Sequence, residues 1–284
     1  VAALTYRCPL RCVYCSNPVD YTKYAEELST DDWIRVLRQG RELGATQLGF
    51  SGGEPLMRDD LEALAAEARR LGYYSNLITS GVGLNERRIA ALKEAGLDHI
   101  QVSFQDSTRE MNDFLSSTRT FELKRRVARM VKQHGYPMVL NVVLHRLNID
   151  HVGQILDMAA ELEADYVELA NTQYYGFAYA NRAALLPSRA QLERAEEVTR
   201  QFRSRVGARM KIFLARHAYG RDVPTEDLCY VWATSHAPGT TRWNQDTDRA
   251  RTGVLRSSSP EAWAAEQITL RATYSETSVS GQPG

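Results

Sequence analysis

The sequence predicts an α/β protein in which parallel strands are joined by crossover helices. Three observations lead to this class. Short apolar or β-branched runs alternate six times with longer amphipathic runs. Most of the amphipathic runs stop at a glycine. Polar or glycine-rich motifs follow several of the strand-like runs, where α/β proteins bind their ligands. A doubly wound sheet and an incomplete barrel both fit this pattern.

The strand-like runs are four to seven residues long and rich in Val, Ile, Leu and Tyr, which favour a pleated and partly buried surface. They are predicted at residues 1–6, 47–51, 74–79, 99–104, 138–144 and 166–169.

The helix-like runs carry apolar residues at helical spacing and have clear start and stop signals. One begins at Asp59 and Asp60, presents an apolar stripe that includes Leu61 and Leu64, and stops at Gly72. The six helices are predicted at residues 29–44, 59–72, 85–95, 120–134, 152–162 and 188–205.

The alternation ends close to residue 214. Beyond it Gly, Ser, Thr, Arg and Pro are scattered without the period of a strand or a helix. We therefore expect a core domain over residues 1–213 and an irregular C-terminal region over 214–284.

The composition is that of an ordinary globular protein, with 43% hydrophobic and 25% charged residues. Thirty-five Lys and Arg balance 35 Asp and Glu. This balance gives no electrostatic reason to expect a nucleic acid or an anionic membrane as a partner. Residues 1–11 lack the layout of a signal peptide, so we expect a cytoplasmic location.

Three of the four cysteines are clustered, in the order Cys8-x3-Cys12-x2-Cys15, and Cys229 lies far away. This is no disulfide framework, and it indicates a reduced compartment and a metal site. Three thiolates can hold a [4Fe–4S] cluster with one iron position left open. Zinc with a distant fourth ligand, or three unrelated cysteines, are the alternatives.

A second motif, Gly52-Gly53-Glu54-Pro55, follows the second predicted strand. Its glycines would let backbone carbonyls approach a ligand closely, and Glu54 would supply a charge. Taken alone, such a string is more often a simple turn.

The two motifs together resemble the radical S-adenosylmethionine (SAM) superfamily, which has a CxxxCxxC loop after the first strand and GGEP after the second. The resemblance implies a partial (β/α)6 TIM-type barrel, a [4Fe–4S] cluster on Cys8, Cys12 and Cys15, and SAM. The residues implied to contact SAM or to flank the cluster are Tyr14, Gly52, Gly53, Glu54, Pro55, Ser80, Ser103, Asn141 and His145. For Asn141 and His145, local hydrogen bonding to the backbone is an equal alternative.

Two longer strings resemble the PQQ synthase family (PqqE) more specifically. They are SNPVDY at residues 16–21 and ANTQYYG at residues 170–176. The whole resemblance covers about three quarters of the chain, residues 1–213. It suggests that Asn171, Gln173, Tyr174 and Tyr175 line the substrate side, although the two tyrosines could instead pack their loop against the last helix.

Members of that family use the cluster to cleave SAM reductively, giving methionine and a 5′-deoxyadenosyl radical. The resemblance implies that the radical takes a hydrogen from a glutamate of the precursor peptide PqqA, after which a carbon–carbon bond forms to a tyrosine of PqqA. The implied partners are the peptide chaperone PqqD and a flavodoxin-like or other reductant. No nucleic acid or membrane partner is expected.

The C-terminal region departs from that family, whose members continue into a cysteine-rich (SPASM) domain with auxiliary iron–sulfur clusters. Cys229 alone cannot hold them. Two alternatives therefore stay open: another peptide or sulfatase maturase, and a non-catalytic fragment that binds a cluster or zinc.

Overall fold

One parallel sheet contains every strand of the part of the chain that the computed structural model describes, which is residues 1–19, 27–215, 230–234 and 252–254. The strands are β1 (Ala2–Thr5), β2 (Gln47–Gly52), β3 (Tyr74–Thr79), β4 (His99–Phe104), β5 (Met138–Leu144), β6 (Tyr166–Asn171), β7 (Lys211–Ala215), β8 (Tyr230–Thr234) and β9 (Thr252–Val254). The helices are α1 (Thr30–Glu42), α2 (Leu61–Arg70), α3 (Glu86–Glu94), α4 (Arg109–Ser116), α5 (Phe121–Gln133), α6 (Val152–Glu161), α7 (Gly176–Ala180), α8 (Arg182–Leu185) and α9 (Arg189–Val206).

The spatial order of the strands decides between the two folds that the sequence left open. It runs β7-β6-β5-β4-β3-β2-β1-β8-β9. From β1 to β7 each strand pairs with the next one in sequence, whereas a doubly wound sheet reverses its order at a switch point. The sheet therefore has the strand order of a β/α barrel. It is open, because β7 and β9 are edge strands in the described part of the chain. The predicted fold class is confirmed.

The core lies between the helices and one face of the sheet. Along β5 the residues alternate, so that Met138, Leu140, Val142 and Leu144 are buried and the residues between them are half-buried. In α2 the stripe Leu61, Leu64, Ala65 and Ala68 is fully buried. Burial of such apolar area is the main stabilising contribution to the fold.

The other face of the sheet is polar in its middle. Ser103 of β4 pairs in register with Asn141 of β5, and Asn141 pairs with Glu168 of β6. Since side chains alternate along a strand, these three residues form a row across the inner face of the sheet.

The elements that the sequence did not predict are α4, α7, α8, β7, β8 and β9. The sequence missed α4, because its buried positions are Asn112, Leu115 and Ser116 and so form no apolar stripe. Strand β7 crosses the expected boundary at residue 213, and β8 pairs in parallel with β1. Strands thus stand where the sequence predicts irregular structure. The division into a core and a tail stays a prediction, and Cys229 lies outside the described residues.

None of the described helices combines the length and apolarity that crossing a membrane requires.

Candidate functional site

The three clustered cysteines lie in a loop, residues 7–18, that follows β1 at the carboxyl end of the sheet; we call it the cysteine loop. This loop and the Gly52–Pro55 turn are joined through their backbones. Gly53 N donates to Thr5 O at 2.6 Å, and Glu54 N donates to Arg7 O at 2.8 Å. The two sequence motifs therefore form one unit at the ends of β1 and β2.

The glycines of the turn are required by this contact. A Cβ on Gly52 would lie 2.4 Å from Thr5 O, and one on Gly53 would lie 2.5 Å from Arg7 O. Gly52 also has a φ of 131°, which side chains rarely adopt. In the structure the glycines also let the turn approach the backbone of Thr5 and of Arg7, the first residue of the cysteine loop. The close approach of a ligand to the turn stays a prediction.

Glu54 is buried and joins the turn to the end of β3. Its carboxylate accepts hydrogen bonds from Thr79 Oγ1 at 2.7 Å, from Ser80 N at 2.7 Å and from Ser80 Oγ at 2.5 Å. It also accepts from Leu56 N at 3.1 Å, at the start of the 3-10 turn Pro55–Met57. Burial raises the pKa of Glu54, and these donors oppose the rise.

The cysteines are half-buried free thiols. Burial raises the pKa of Cys8 to about 11 and that of Cys12 to about 12, and it also raises the pKa of Cys15. Within the loop, Cys15 N donates to Cys12 O at 3.1 Å. The loop thus carries three sulfur donors within eight residues of the chain.

Hydrogen bonds between polar side chains connect the end of β4 and helix α5 to the cysteine loop. Gln105, just after β4, donates through Nε2 to Tyr14 Oη at 2.9 Å. Its Oε1 accepts from Lys124 Nζ of α5 at 2.5 Å. Lys124 also donates to Ser103 O at 2.8 Å. The Tyr14 ring lies 5.3 Å from that of His145, measured between centroids.

Helix α4 supports the cysteine loop from one side. Arg11 N donates to Ser116 O at 3.0 Å, and Val13 N donates to Leu115 O at 3.1 Å. The loop therefore receives at least two backbone hydrogen bonds from an element that the sequence did not predict.

Residues 171–181, which we call the tyrosine segment, contact the loop from another side. Ala178 N donates to Cys15 O at 2.9 Å, and Asn181 Nδ2 donates to Val13 O at 2.9 Å. Gly176 lies so close that a Cβ there would be 1.7 Å from Asn17 O. Hence the two strings that resemble the PQQ synthase family, SNPVDY and ANTQYYG, contact each other in the structure.

The four predicted substrate residues all lie in this segment. Asn171 ends β6, and Gln173 follows it in an exposed position. The guanidinium of Arg182 stands over the Tyr174 ring at 5.7 Å. Tyr175 precedes α7, and half of its surface is exposed (50%).

Of the remaining predicted residues, Asn141 and His145 lie on β5 and just after it. Asn141 Nδ2 donates to Glu168 Oε2 at 2.9 Å, and Gln101 Nε2 donates to the same oxygen at 2.9 Å. His145 is completely buried, and its Nε2 has no hydrogen-bond partner among the described residues. Burial lowers the pKa of His145 to about 4, so the imidazole is neutral at pH 7.

Sequence reasoning missed Gln105, Lys124 and Glu168. Lys124 occupies a core-facing position of α5, together with Phe121, Val127, Ala128 and Val131. A lysine in such an apolar stripe is a signal that could have drawn attention to it, because lysine is almost never fully buried without a partner.

The site suits a soft metal cluster and a ligand beside it. Thiolates are the usual ligands of iron–sulfur clusters. In the described part of the chain no three His, Cys, Asp or Glu side chains converge on a position for a single ion. A [4Fe–4S] cluster does not require such convergence, because each thiolate binds a separate iron. Next to the loop, His145 Nε2 is a buried polar atom that a ligand could satisfy.

The family model described as Radical SAM superfamily matches residues 3–159, more than half of the chain. The chain belongs to the radical SAM superfamily. A second family model, described as a protein of unknown function (DUF3047), matches residues 198–280.

Solved structures agree with this assignment in fold. SuiB of Streptococcus suis, bound to precursor peptide SuiA, is 18% identical with a TM-score of 0.62, over 76% of this chain and 48% of SuiB. The structure of anSMEcpe with bound AdoMet and the Cp18Cys peptide is 17% identical with a TM-score of 0.59, over 74% of this chain and 61% of that one. Coproporphyrinogen III oxidase (HemN) of Escherichia coli is 15% identical with a TM-score of 0.53, over 70% and 51%. This radical SAM chain spans about half the length of the SuiB chain.

Proposed function

We propose that this protein is a radical SAM enzyme that modifies a peptide, and that its reaction is the Glu–Tyr cross-link of PQQ biosynthesis in PqqA. The observation that carries the proposal is the joining of the cysteine loop to the Gly52–Pro55 turn. The two hydrogen bonds from Gly53 and Glu54 join this turn, which resembles the SAM-binding motif of the superfamily, to Thr5 and Arg7, which precede the first of the three cysteines.

The residues of this chain would have distinct roles in binding the cluster and SAM. Cys8, Cys12 and Cys15 would hold a [4Fe–4S] cluster, which when bound supplies the electron that cleaves SAM. The backbone of the Gly52–Pro55 turn, with Ser103, Asn141 and His145, would bind SAM. Ser80 would contribute to the same site from just after β3, where it fixes Glu54 through two hydrogen bonds.

A peptide substrate is supported by the relatives and by the tyrosine segment. SuiB and anSMEcpe were each solved with a peptide bound. In this chain the tyrosine segment is anchored to the cysteine loop through Ala178 and Asn181. Its exposed Tyr175 therefore stands close to the loop that would hold the cluster, in a position from which it could contact a peptide.

PqqA, the chaperone PqqD and a flavodoxin-like or other reductant are the partners that this function requires. Auxiliary clusters belong to the family resemblance alone, since Cys229 is one thiol and lies outside the described residues. We therefore propose one cluster, on the cysteine loop, as the centre that starts the reaction.

The first experiment tests the core of the proposal without a peptide. The protein is reconstituted anaerobically with iron and sulfide, SAM and a strong reductant are added, and 5′-deoxyadenosine is measured by mass spectrometry. We expect it from the wild type and from Cys229→Ala, which is a control outside the loop, and none from Cys12→Ala. Metal analysis that finds zinc instead of iron, or activity retained by Cys12→Ala, would overturn the proposal.

The second experiment tests the substrate. PqqA, presented by PqqD, is added to the same reaction, and its mass is followed. The glutamate hydrogen goes to 5′-deoxyadenosine. After the carbon–carbon bond forms, the tyrosine ring loses a proton and one electron, and a one-electron acceptor such as the oxidised cluster would have to take up that electron. The product is therefore lighter by two hydrogens. PqqA with the reacting glutamate changed to glutamine is the matched control. Abundant 5′-deoxyadenosine with unchanged PqqA would favour a different peptide or sulfatase maturase.

A further inference from the structure

The side chain of Lys124 is the feature of this site that neither the motifs nor the proposed reaction uses. It is fully buried, with 0% of its surface exposed, in the apolar face of α5. A buried ammonium is costly unless it is paired. Its hydrogen-bond acceptors are both uncharged oxygens, Ser103 O at 2.8 Å and Gln105 Oε1 at 2.5 Å.

The environment of Lys124 shows which charges it faces. Burial lowers its pKa to about 8, and Cys12, Glu54 and Cys8 oppose this shift, in that order. Lys124 in turn lowers the pKa of Cys12 and of Cys8. Only the side chain of Gln105 separates the ammonium of Lys124 from Tyr14 of the cysteine loop, since Gln105 is hydrogen-bonded to both.

A mechanical link joins the same lysine to the loop. Gln105 receives a hydrogen bond from Lys124 and passes one to Tyr14, which lies between Cys12 and Cys15. The backbone of Gln105 is itself fixed, because its N–H donates to Asn112 Oδ1 at 3.1 Å and its carbonyl accepts from Asn148 Nδ2 at 2.8 Å. A fixed Gln105 transmits the position of Lys124 to the loop.

We propose that Lys124 is a positioning residue for the cysteine loop, which it orders through Gln105 and Tyr14, and that it supplies a buried positive charge close to that loop. This inference rests on the proposed function for its second part only. A cluster held by three thiolates becomes more negative on reduction, so a nearby cation favours the reduced form. A lysine that only filled the core would neither order the loop nor favour the reduced form of the cluster.

The test compares Lys124→Met with Tyr14→Phe and with the control Lys132→Met. Lys132 lies on the same helix and pairs with Asp165 at 2.7 Å, away from the loop. Hydrogen exchange of residues 10–16 is measured on the full chain as purified. The reduction of the reconstituted cluster is then followed by electron paramagnetic resonance during a redox titration.

We expect Lys124→Met to accelerate exchange in the loop about tenfold. We expect its ratio of reduced to oxidised cluster, at a fixed applied potential, to fall about tenfold, which is about 59 mV for a one-electron couple. Tyr14→Phe removes the hydrogen bond to Gln105 but keeps the charge of Lys124. It should therefore accelerate exchange in the loop and change the ratio of reduced to oxidised cluster by less than about twofold. Lys132→Met should change neither.

Unchanged exchange and potential in Lys124→Met, or equal changes in Lys132→Met, would overturn the inference. If circular dichroism shows that Lys124→Met does not fold, Lys124→Gln takes its place, because it removes the charge and keeps a donor. A wild type that takes up no iron–sulfur cluster would refute the proposed function. The exchange measurement would still decide whether Lys124 orders the loop.

Discussion

The carboxylate of Glu54 accepts two hydrogen bonds from one residue, Ser80, through its amide at 2.7 Å and its hydroxyl at 2.5 Å. Glu54 follows β2 and Ser80 follows β3, so this pair joins the ends of two neighbouring strands. Since the backbone of Glu54 is also bonded to Arg7, the pair extends the support of the cysteine loop as far as β3.

Glu54→Gln should destabilise the protein by about 2–3 kcal/mol, because the new amide turns an N–H donor towards groups that are themselves donors. Ser80→Ala should cost about 1 kcal/mol. We would measure the free energy of unfolding in urea for both single variants and for the double variant. The three values give the coupling energy between Glu54 and Ser80. Strictly additive losses would contradict a direct interaction between the two residues.

Gly53→Ala should displace the cysteine loop, since its Cβ would lie 2.5 Å from Arg7 O. We expect a loss of about 3 kcal/mol in the free energy of unfolding, together with weaker iron uptake. Gly153→Ala in α6 is the matched control. Its Cβ would meet Val198 at an ordinary 3.7 Å, so it should be neutral or stabilise by up to about 1 kcal/mol. Equal stability of the two variants would show that the contact with the loop is not tight.

The pH dependence of stability should carry a contribution from His145. Its pKa in the folded protein, about 4, lies below the ordinary value of 6.5, so the unfolded chain binds the proton first. The stability that the neutral His145 contributes is therefore complete above pH 6.5, and it is lost as the pH falls towards 4. Between pH 7 and pH 4.5, His145→Phe should lose about 2 kcal/mol less of its unfolding free energy than the wild type. Parallel pH curves for the two proteins would contradict this.

Gly176→Ala should detach the tyrosine segment from the cysteine loop. A Cβ at this residue would overlap Asn17 O at 1.7 Å, and the φ of 51° is unfavourable for alanine. Faster hydrogen exchange is expected in residues 13–17 and 176–181 together. Gly135→Ala also has a positive φ but meets nothing within 4 Å, so it should leave both regions unchanged. Faster exchange in only one of the two regions would show that they are not coupled.

The sequence by itself determined the strand–helix framework and the two motifs. The bounds of β3, β4 and β5 agree with the prediction to the residue, because a buried strand shows its period locally. The cysteine spacing and the Gly52–Pro55 string were likewise visible as short patterns. Their position after β1 and β2 followed from the framework alone.

The tertiary structure decided which distant segments support the site. Gln105 and Tyr14 are 91 residues apart, and Asn181 and Val13 are 168 apart. A local period reports which side of a segment is buried, but it does not report what covers that side. The support from α4, the buried Lys124 and the contact of the tyrosine segment with the cysteine loop therefore became visible only when the sheet brought the strand ends together.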